Sequence, residues 1–475
     1  MKKTTSLCLI NGHWCEARSG AVFSVKNPAT GEVIADVPLL EPDQIREAIE
    51  AAHAAFPAWR ERPARERGNF LRALGNYLTE HAELFAQTIT KEQGKPLKES
   101  RAEVIYSANY LFWFAEEAMR VYGDIIPSES PHKKILVLKQ PIGVAAAITP
   151  WNFPIAMLAR KFGAALAAGC TFIAKPAPET PLSMLLLGQA CQDVGLPPGV
   201  FNIITGDAEM IGSTLMSSPL VKKLSFTGST EVGKILIRQS ADTVKKLTLE
   251  LGGNAPFIVF DDADIEKALS GAIFGKYRNA GQTCICVNRF LVQEGIAQRF
   301  TQLLAERSKK LIVGNGADEA TDIGPLITDE ARQKVSSLIA SATHEGAQIV
   351  SGDSSGGTSR FCTPYVISGV TPAMRIWNEE IFGPVSTITT FRDASQAIAL
   401  ANDTQYGLAA YVYSNDLSKA LSVAEQLDFG MVGINDTAIS NVQAPFGGVK
   451  QSGFGREGSK YGIDEYLVLK YLALG

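Results

Sequence analysis

Apolar side chains recur at Ile45, Ala48, Ile49, Ala52 and Phe56, three and four positions apart, which predicts an amphipathic helix over residues 43–59 with Asp43 as its N-cap. Helices are expected to dominate as far as about residue 120. The rhythm then changes to short apolar runs at residues 144–148, 172–175, 200–204, 224–227 and 247–251, separated by helix-length segments. That alternation predicts repeated strand-helix-strand units and hence a parallel sheet. Pro181 opens the second intervening helix, and Gly195-Leu196-Pro197-Pro198-Gly199 ends it. A second unit begins near Pro256, where an apolar run at 257–260 meets Asp261-Asp262-Ala263-Asp264, and it ends near residue 440. Residues 351–359 (SGDSSGGTS) form the one low-complexity stretch, expected as a mobile surface connection.

The 475 residues exceed what one core organises, so two or three domains are expected. A formal net charge of −4, with no segment concentrating Lys and Arg, argues against a nucleic-acid partner. Every apolar segment is interrupted before the roughly 18 residues a membrane helix needs. Lys2 and Lys3 precede an apolar run over 7–10 that is too short for a secretory signal and ends in a polar turn, Asn11-Gly12, so the cytoplasm is the expected compartment. The 7 cysteines are odd in number and sit mostly in apolar surroundings, unlike a disulfide framework, and the 5 histidines are dispersed without metal-ligand spacing.

Three segments carry candidate chemistry. Ile148-Thr149-Pro150-Trp151-Asn152-Phe153-Pro154 leaves the C-terminal end of an expected strand, where open parallel sheets place their ligand crevice. An Asn on that proline-stiffened loop can aim an amide N–H at a developing oxyanion, worth about 3 kcal/mol, although a loop Asn is more often a turn former. Glu250, in Leu249-Glu250-Leu251-Gly252-Gly253, is a carboxylate among apolar residues, where desolvation raises the pKa toward general-base work. Its plainer reading is an edge-strand Glu facing water. In Asn279-Ala280-Gly281-Gln282-Thr283-Cys284-Ile285-Cys286, a Gly-containing loop presents a thiol between small and polar neighbours, as a nucleophile requires. The competing reading of that pair is half of a zinc or disulfide cluster.

For a dinucleotide, the literal Gly453-Phe454-Gly455-Arg456-Glu457-Gly458 pattern is read as a decoy, because no strand-helix unit follows it. Phe226-Thr227-Gly228-Ser229-Thr230 is the better candidate, since it follows an expected strand and opens a helix whose N-terminal amides suit a pyrophosphate.

Together these segments resemble the aldehyde dehydrogenase superfamily, from Ile10-Asn11-Gly12 to the last strand. Five motifs stand in the family's order: Pro150-Trp151-Asn152-Phe153-Pro154, Phe226-Thr227-Gly228-Ser229, Leu249-Glu250-Leu251-Gly252-Gly253, Gly281-Gln282-Thr283-Cys284 and Glu379-Glu380-Ile381-Phe382-Gly383-Pro384. The resemblance implies an α/β fold with a Rossmann-type cofactor domain (1–119 and 140–250), an α/β catalytic domain (251–444) and a small β ribbon (120–139 and 445–475) that joins subunits as homodimers or homotetramers. It implies Cys284 as nucleophile, Asn152 as oxyanion donor and Glu250 as the base for the deacylating water. It places Lys175 on the adenosine ribose, Ser229 on the pyrophosphate, Glu380 on the nicotinamide ribose and Phe382 beside the ring, with Thr149, Pro150, Trp151, Pro178, Gly228 and Leu251 also lining the dinucleotide.

Within the family the detailed match is to succinate-semialdehyde dehydrogenases, most visibly in residues 245–256 and 446–462. Arg160 and Arg278 flank the catalytic segments and suit a substrate with a distal carboxylate, and the subfamily places Arg160, Arg278 and Ser440 on that carboxylate. Glutaric and 2-oxoglutaric semialdehydes carry the same distal anion. The cofactor is NADP or NAD: many relatives carry a carboxylate three residues after the ribose lysine, whereas here Pro178 holds that position and Glu179 follows, which favours NADP with NAD accepted. Cys286, two residues beyond the nucleophile, is where some relatives form a reversible disulfide, and it equally suits simple packing. The rival classes are a catalytically silent structural protein on this fold and a cofactor-free thioester hydrolase.

Overall fold

A computed structural model describes residues 6–353 and 360–475. Most of the 351–359 stretch expected as a mobile connection, and Lys2 and Lys3, lie outside those residues.

The chain opens with two antiparallel hairpins, Cys8–Ile10 with His13–Cys15 and Val22–Lys26 with Val33–Pro38, where helices were expected to dominate. The signal lay in Asn11-Gly12: both residues have positive φ (51° and 77°), the conformation of a two-residue hairpin turn. The first helix, Pro42–Arg60, starts one residue before the expected cap at Asp43, because Pro42 fits the first helical position and Glu41 becomes the cap. Gln44 Oε1 accepts from the Glu41 amide at 3.4 Å. Three more helices follow, Ala64–Glu80, Ala82–Gln93 and Leu97–Glu117.

An 8-stranded sheet runs, in spatial order, Gly453–Phe454, Lys246–Glu250, Val221–Thr227, Val144–Ile148, Thr171–Lys175, Phe201–Ile203, Cys8–Ile10 and His13–Cys15. The strands from Lys246–Glu250 to Phe201–Ile203 are parallel. Chain order and spatial order part company between Val144–Ile148 and Val221–Thr227, so the crevice for a ligand opens beyond their C-terminal ends, at Thr149 and Gly228. The Gly453–Phe454 strand pairs antiparallel with Lys246–Glu250, so the literal glycine pattern at 453–458 forms a sheet edge and not a phosphate loop.

A 7-stranded sheet runs Gln348–Ser351, Tyr365–Ser368, Val385–Phe391, Val287–Gln293, Ala255–Val259, Ala409–Tyr413 and Met431–Ile434, all parallel except Gln348–Ser351. A third, antiparallel sheet joins Asp124–Ile126, Lys134–Pro141 and Leu467–Leu474. Its strands leave Ile125, Leu469 and Tyr471 exposed. The first sheet packs helices on both faces, including the wholly buried Pro154–Ala168 on one and Pro42–Arg60 on the other, and the second sheet has a core of its own. Among the described residues no helix is long and apolar enough to cross a membrane.

Candidate active site

The loop after Val144–Ile148 carries Asn152 into the interior, where its side-chain Nδ2 donates to the main-chain oxygen of Gln282 at 3.0 Å. A carbonyl can only accept, so this bond fixes which end of the amide faces the thiol-bearing loop. Asn152 and the segment leading to Cys284 are therefore in direct contact.

That segment is bent by three successive positive φ angles, at Asn279 (51°), Ala280 (56°) and Gly281 (76°). Asn tolerates this region, whereas Ala280 costs about 1 kcal/mol and must be held by its surroundings. The restraint comes from Gln282, whose amide donates to Asn279 O at 2.9 Å and whose Oε1 accepts from Ile327 N at 3.0 Å, and from Glu99 Oε2, which accepts from Asn279 N at 2.8 Å. Cys284 follows at the wall of a cavity of about 510 Å³ that Arg160, Arg278, Tyr106, Phe153, Phe446 and Ser440 also line. Desolvation pushes the thiol up to about 12, opposed by the positive charges of Arg160 and Arg278 and reinforced by Glu380 and Glu250.

Glu250 ends its strand with its side chain buried, and neither carboxylate oxygen has a hydrogen-bond partner among the described residues. Burial first, and then the negative charge of Glu457, raise its pKa well above the carboxylate range, against the pull of Arg160, Lys161 and Arg456. The turn that follows approaches the nucleophile closely: a Cβ on Gly253 would stand 2.2 Å from Cys284 O. Only glycine allows the two backbones to meet there.

The groups expected around a dinucleotide gather at the reversal of strand order. Thr149 N donates to Lys175 O at 3.1 Å, and Gly228 N to Glu250 O at 3.1 Å. Among the described residues, the buried Lys175 ammonium has Pro176 O as its one acceptor, at 3.2 Å, and the buried Thr149 Oγ1 has no partner. Ser229 caps the helix Thr230–Ser240 by accepting from Val232 N at 3.3 Å. Across the crevice, Glu380 accepts from Gly253 N at 3.0 Å and desolvation pushes its carboxyl up to about 7. Phe382 meets Trp151 edge-on, ring centroids 5.6 Å apart, and Leu251 is buried beside the strand end. Pro178 is exposed, while Glu179 is half-buried and its charge reaches Lys175. An unsatisfied hydroxyl, a barely paired ammonium and a helix N-terminus at one crevice fit a ribose and a pyrophosphate.

The two arginines differ. Arg278 stacks against Phe153 and Phe274, at 5.3 and 5.2 Å, and takes part in no ion pair among the described residues. Arg160 is fully buried over the Phe446 ring at 4.1 Å, and its Nε lies 3.0 Å from Glu457 Oε2 at an angle short of a hydrogen bond. Its Nη1 has no partner among the described residues. Ser440 bonds the Tyr106 hydroxyl at 2.6 Å, which bonds that of Tyr110 at 2.9 Å. Cys286 is buried and free, with its sulfur near Lys276 O at 3.4 Å, away from the cavity that Cys284 lines.

Several site groups were not singled out in the sequence. Lys161, next to Arg160, bonds Thr227 Oγ1 at 2.6 Å and pairs with Glu457. Glu457 is held below the carboxylate range: burial opposes its ionisation, but Lys161 and Arg160 outweigh it. Two adjacent cations in an otherwise apolar helix were the signal, since they demand a buried acid. Tyr106 had no comparable local signal.

The sequence pattern of the Aldehyde dehydrogenase family matches residues 14–472. The succinate-semialdehyde dehydrogenase [NADP(+)] GabD of Escherichia coli is 51% identical over 470 residues, 98% of this chain and 97% of that protein. The glutarate-semialdehyde dehydrogenase of Pseudomonas aeruginosa is 51% identical over 469 residues, again 98% and 97%. The crystal structure of succinate-semialdehyde dehydrogenase from Burkholderia pseudomallei superposes with a TM-score of 0.97 at 50% identity, covering 100% of this chain and 99% of that one. A match over nearly the whole length, together with a superposition at a TM-score of 0.97, places this chain in the aldehyde dehydrogenase family.

Proposed function

We propose that the chain oxidises succinic semialdehyde to succinate with NADP, and with NAD as a second cofactor, through a thioester on Cys284. The carrying observation is Arg278, a guanidinium without an ion-pair partner among the described residues, sharing one cavity with Cys284. A substrate carboxylate would give it an ion-pair partner beyond the Glu99 charge it already feels, and Arg160 Nη1 and the Ser440–Tyr106 hydroxyls would supply further donors. The E. coli relative is named for this substrate and for NADP(+). NAD is included because Glu179 puts negative charge near Lys175, disfavouring a 2′-phosphate.

Cys284 loses its proton to solvent water and its sulfur adds to the aldehyde carbon, while Asn152 Nδ2–H and the Cys284 amide hold the oxyanion of the thiohemiacetal. When bound, the dinucleotide, held by Lys175, Ser229, Thr149 and Glu380, supplies the hydride acceptor that lets this adduct become a thioester. Glu250 then takes a proton from water, whose oxygen attacks the thioester carbonyl, and the same donors hold the second tetrahedral oxyanion before Cys284 leaves. The boundaries 1–119 with 140–250, 251–444 and 120–139 with 445–475 would separate cofactor, catalytic and ribbon portions. The exposed apolar residues of the ribbon suit assembly into a homodimer or homotetramer, working in the cytoplasm.

Glutaric semialdehyde is the second reading, favoured by the equally similar Pseudomonas relative. An aldehyde panel with each cofactor, followed by reduced-nicotinamide absorbance, ranks the two substrates by kcat/KM. Cys284→Ala abolishes turnover, and undiminished aldehyde-dependent reduction by that variant overturns the mechanism.

A further inference from the structure

We propose that Lys95 is a positioning residue for Asn152, holding the backbone of the oxyanion donor from inside the protein. The inference rests on the role given to Asn152 above. The Lys95 side chain is fully buried; its Nζ donates to the main-chain oxygen of Asn152 and to Glu103 Oε2 at 2.7 Å, and stands 3.7 Å from the centre of the Phe153 ring. Asn279 Nδ2, from the nucleophile's own loop, donates to the same Asn152 oxygen at 3.1 Å. The carbonyl is thus clamped by two donors from opposite parts of the chain. With the peptide fixed, the side-chain amide can hold Gln282 O through one N–H and keep the other for the oxyanion.

The surroundings of Lys95 serve the same end. Glu103 turns its other oxygen to Ile155 N and Ala156 N, at 3.1 and 3.3 Å, so a single carboxylate holds both Lys95 and the start of the helix that follows Asn152. Gln93, two residues before Lys95, bonds Asn279 Oδ1 at 3.0 Å, and Glu92 accepts from Leu182 N and Ser183 N at 2.6 and 2.9 Å. The turn is wedged in place: a Cβ on Gly316 would stand 2.3 Å from Lys95 O, and one on Gly324 2.2 Å from Gly94 O. A buried Lys–Glu pair is weak support for stability, because desolvating both charges offsets most of their attraction and a well-packed apolar pair does as well. What an apolar pair cannot do is bond the Asn152 carbonyl.

The test is a mutant cycle on the full-length enzyme, reading kcat and KM for the aldehyde and the single-turnover burst of reduced nicotinamide. Lys95→Met is expected to lower kcat about 10- to 100-fold, part of the about 100- to 1,000-fold that loss of an oxyanion donor costs, with KM changed less than about 3-fold. In an Asn152→Ala background the same substitution is expected to change the burst rate less than about 2-fold, because the group it positions is gone. An equal loss in both backgrounds, or a native kcat in Lys95→Met, overturns the proposal. Should Lys95→Met be insoluble, Lys95→Met/Glu103→Gln leaves no unpaired buried charge, keeps an acceptor for Ile155 N and Ala156 N, and is read by the same cycle. If Asn152→Ala alone retains native kcat, the oxyanion role of Asn152 fails, a result distinct from additivity of the two losses.

Discussion

Arg160 Nε and Glu457 Oε2 stand 3.0 Å apart inside the protein, and the other oxygen of that carboxylate holds Lys161. One acid therefore balances two adjacent cations, and its charge also falls on Glu250. Removing one partner of a buried ion cluster costs about 3–5 kcal/mol. Glu457→Gln is expected to lower the melting temperature accordingly. It also removes a negative charge that raises Glu250 and exposes Glu250 to less compensated positive charge from Arg160 and Lys161. Both changes lower the Glu250 pKa, so its active, ionised form persists to lower pH. The acid limb of the deacylation rate should move to lower pH in Glu457→Gln, and an unmoved or higher limb contradicts the coupling.

Arg278 is the cleaner probe of the substrate carboxylate, because Arg160 is tied to Glu457 and its loss would leave that acid buried with Lys161 alone. Arg278→Ala should raise KM for succinic semialdehyde about 10- to 100-fold, a loss of about 1.5–3 kcal/mol for a charged hydrogen bond. KM for a neutral aldehyde of equal length should change little. Equal effects on the two aldehydes would remove the carboxylate role.

The parts of this site that were legible in the sequence are those whose chemistry is local. A rigid loop after a strand, a carboxyl before two glycines and a thiol after a glycine each declare themselves within a few residues, and the parallel strands do so through their apolar runs. Lys95, Glu103 and Glu457 did not, because their meaning lies in contacts to distant segments: Lys95 reaches Asn152 across 57 positions, Glu103 reaches Ile155 across 52, and the Lys161–Glu457 bond spans 296. The glycine-rich 453–458 segment shows the same point. Dismissed as a phosphate loop by its context, it forms an antiparallel edge and delivers Glu457 to Arg160.

Cys284 offers a pH measurement. Burial pushes its thiol up to about 12, so without cofactor it is protonated near neutral pH. Alkylation follows the thiolate, whose fraction below the pKa rises about tenfold per pH unit. Inactivation by iodoacetamide should climb steadily across neutral and mildly alkaline pH. A plateau at or below neutrality would show a thiolate already formed in the free enzyme.

Glu179 offers a test of the proposed NADP preference. Its carboxyl lies close enough to Lys175 for its charge to oppose the fall in the lysine's pKa that burial produces. Pro178, which precedes it, is exposed and uncharged. A 2′-phosphate brought to the Lys175 side of the crevice would gain from the ammonium and lose to Glu179, whereas the unphosphorylated ribose of NAD feels the acid mainly as a hydrogen-bond acceptor. Glu179→Gln removes the repulsion and keeps an acceptor of similar shape. It should lower KM for NADP several-fold, about 1 kcal/mol for one partly screened like-charge contact, and leave KM for NAD nearly unchanged. Steady-state constants for both cofactors at fixed ionic strength read the difference, and the gain should shrink as salt is added. A rise in KM for NADP, or the same change for both cofactors, would place the 2′-phosphate out of reach of Glu179.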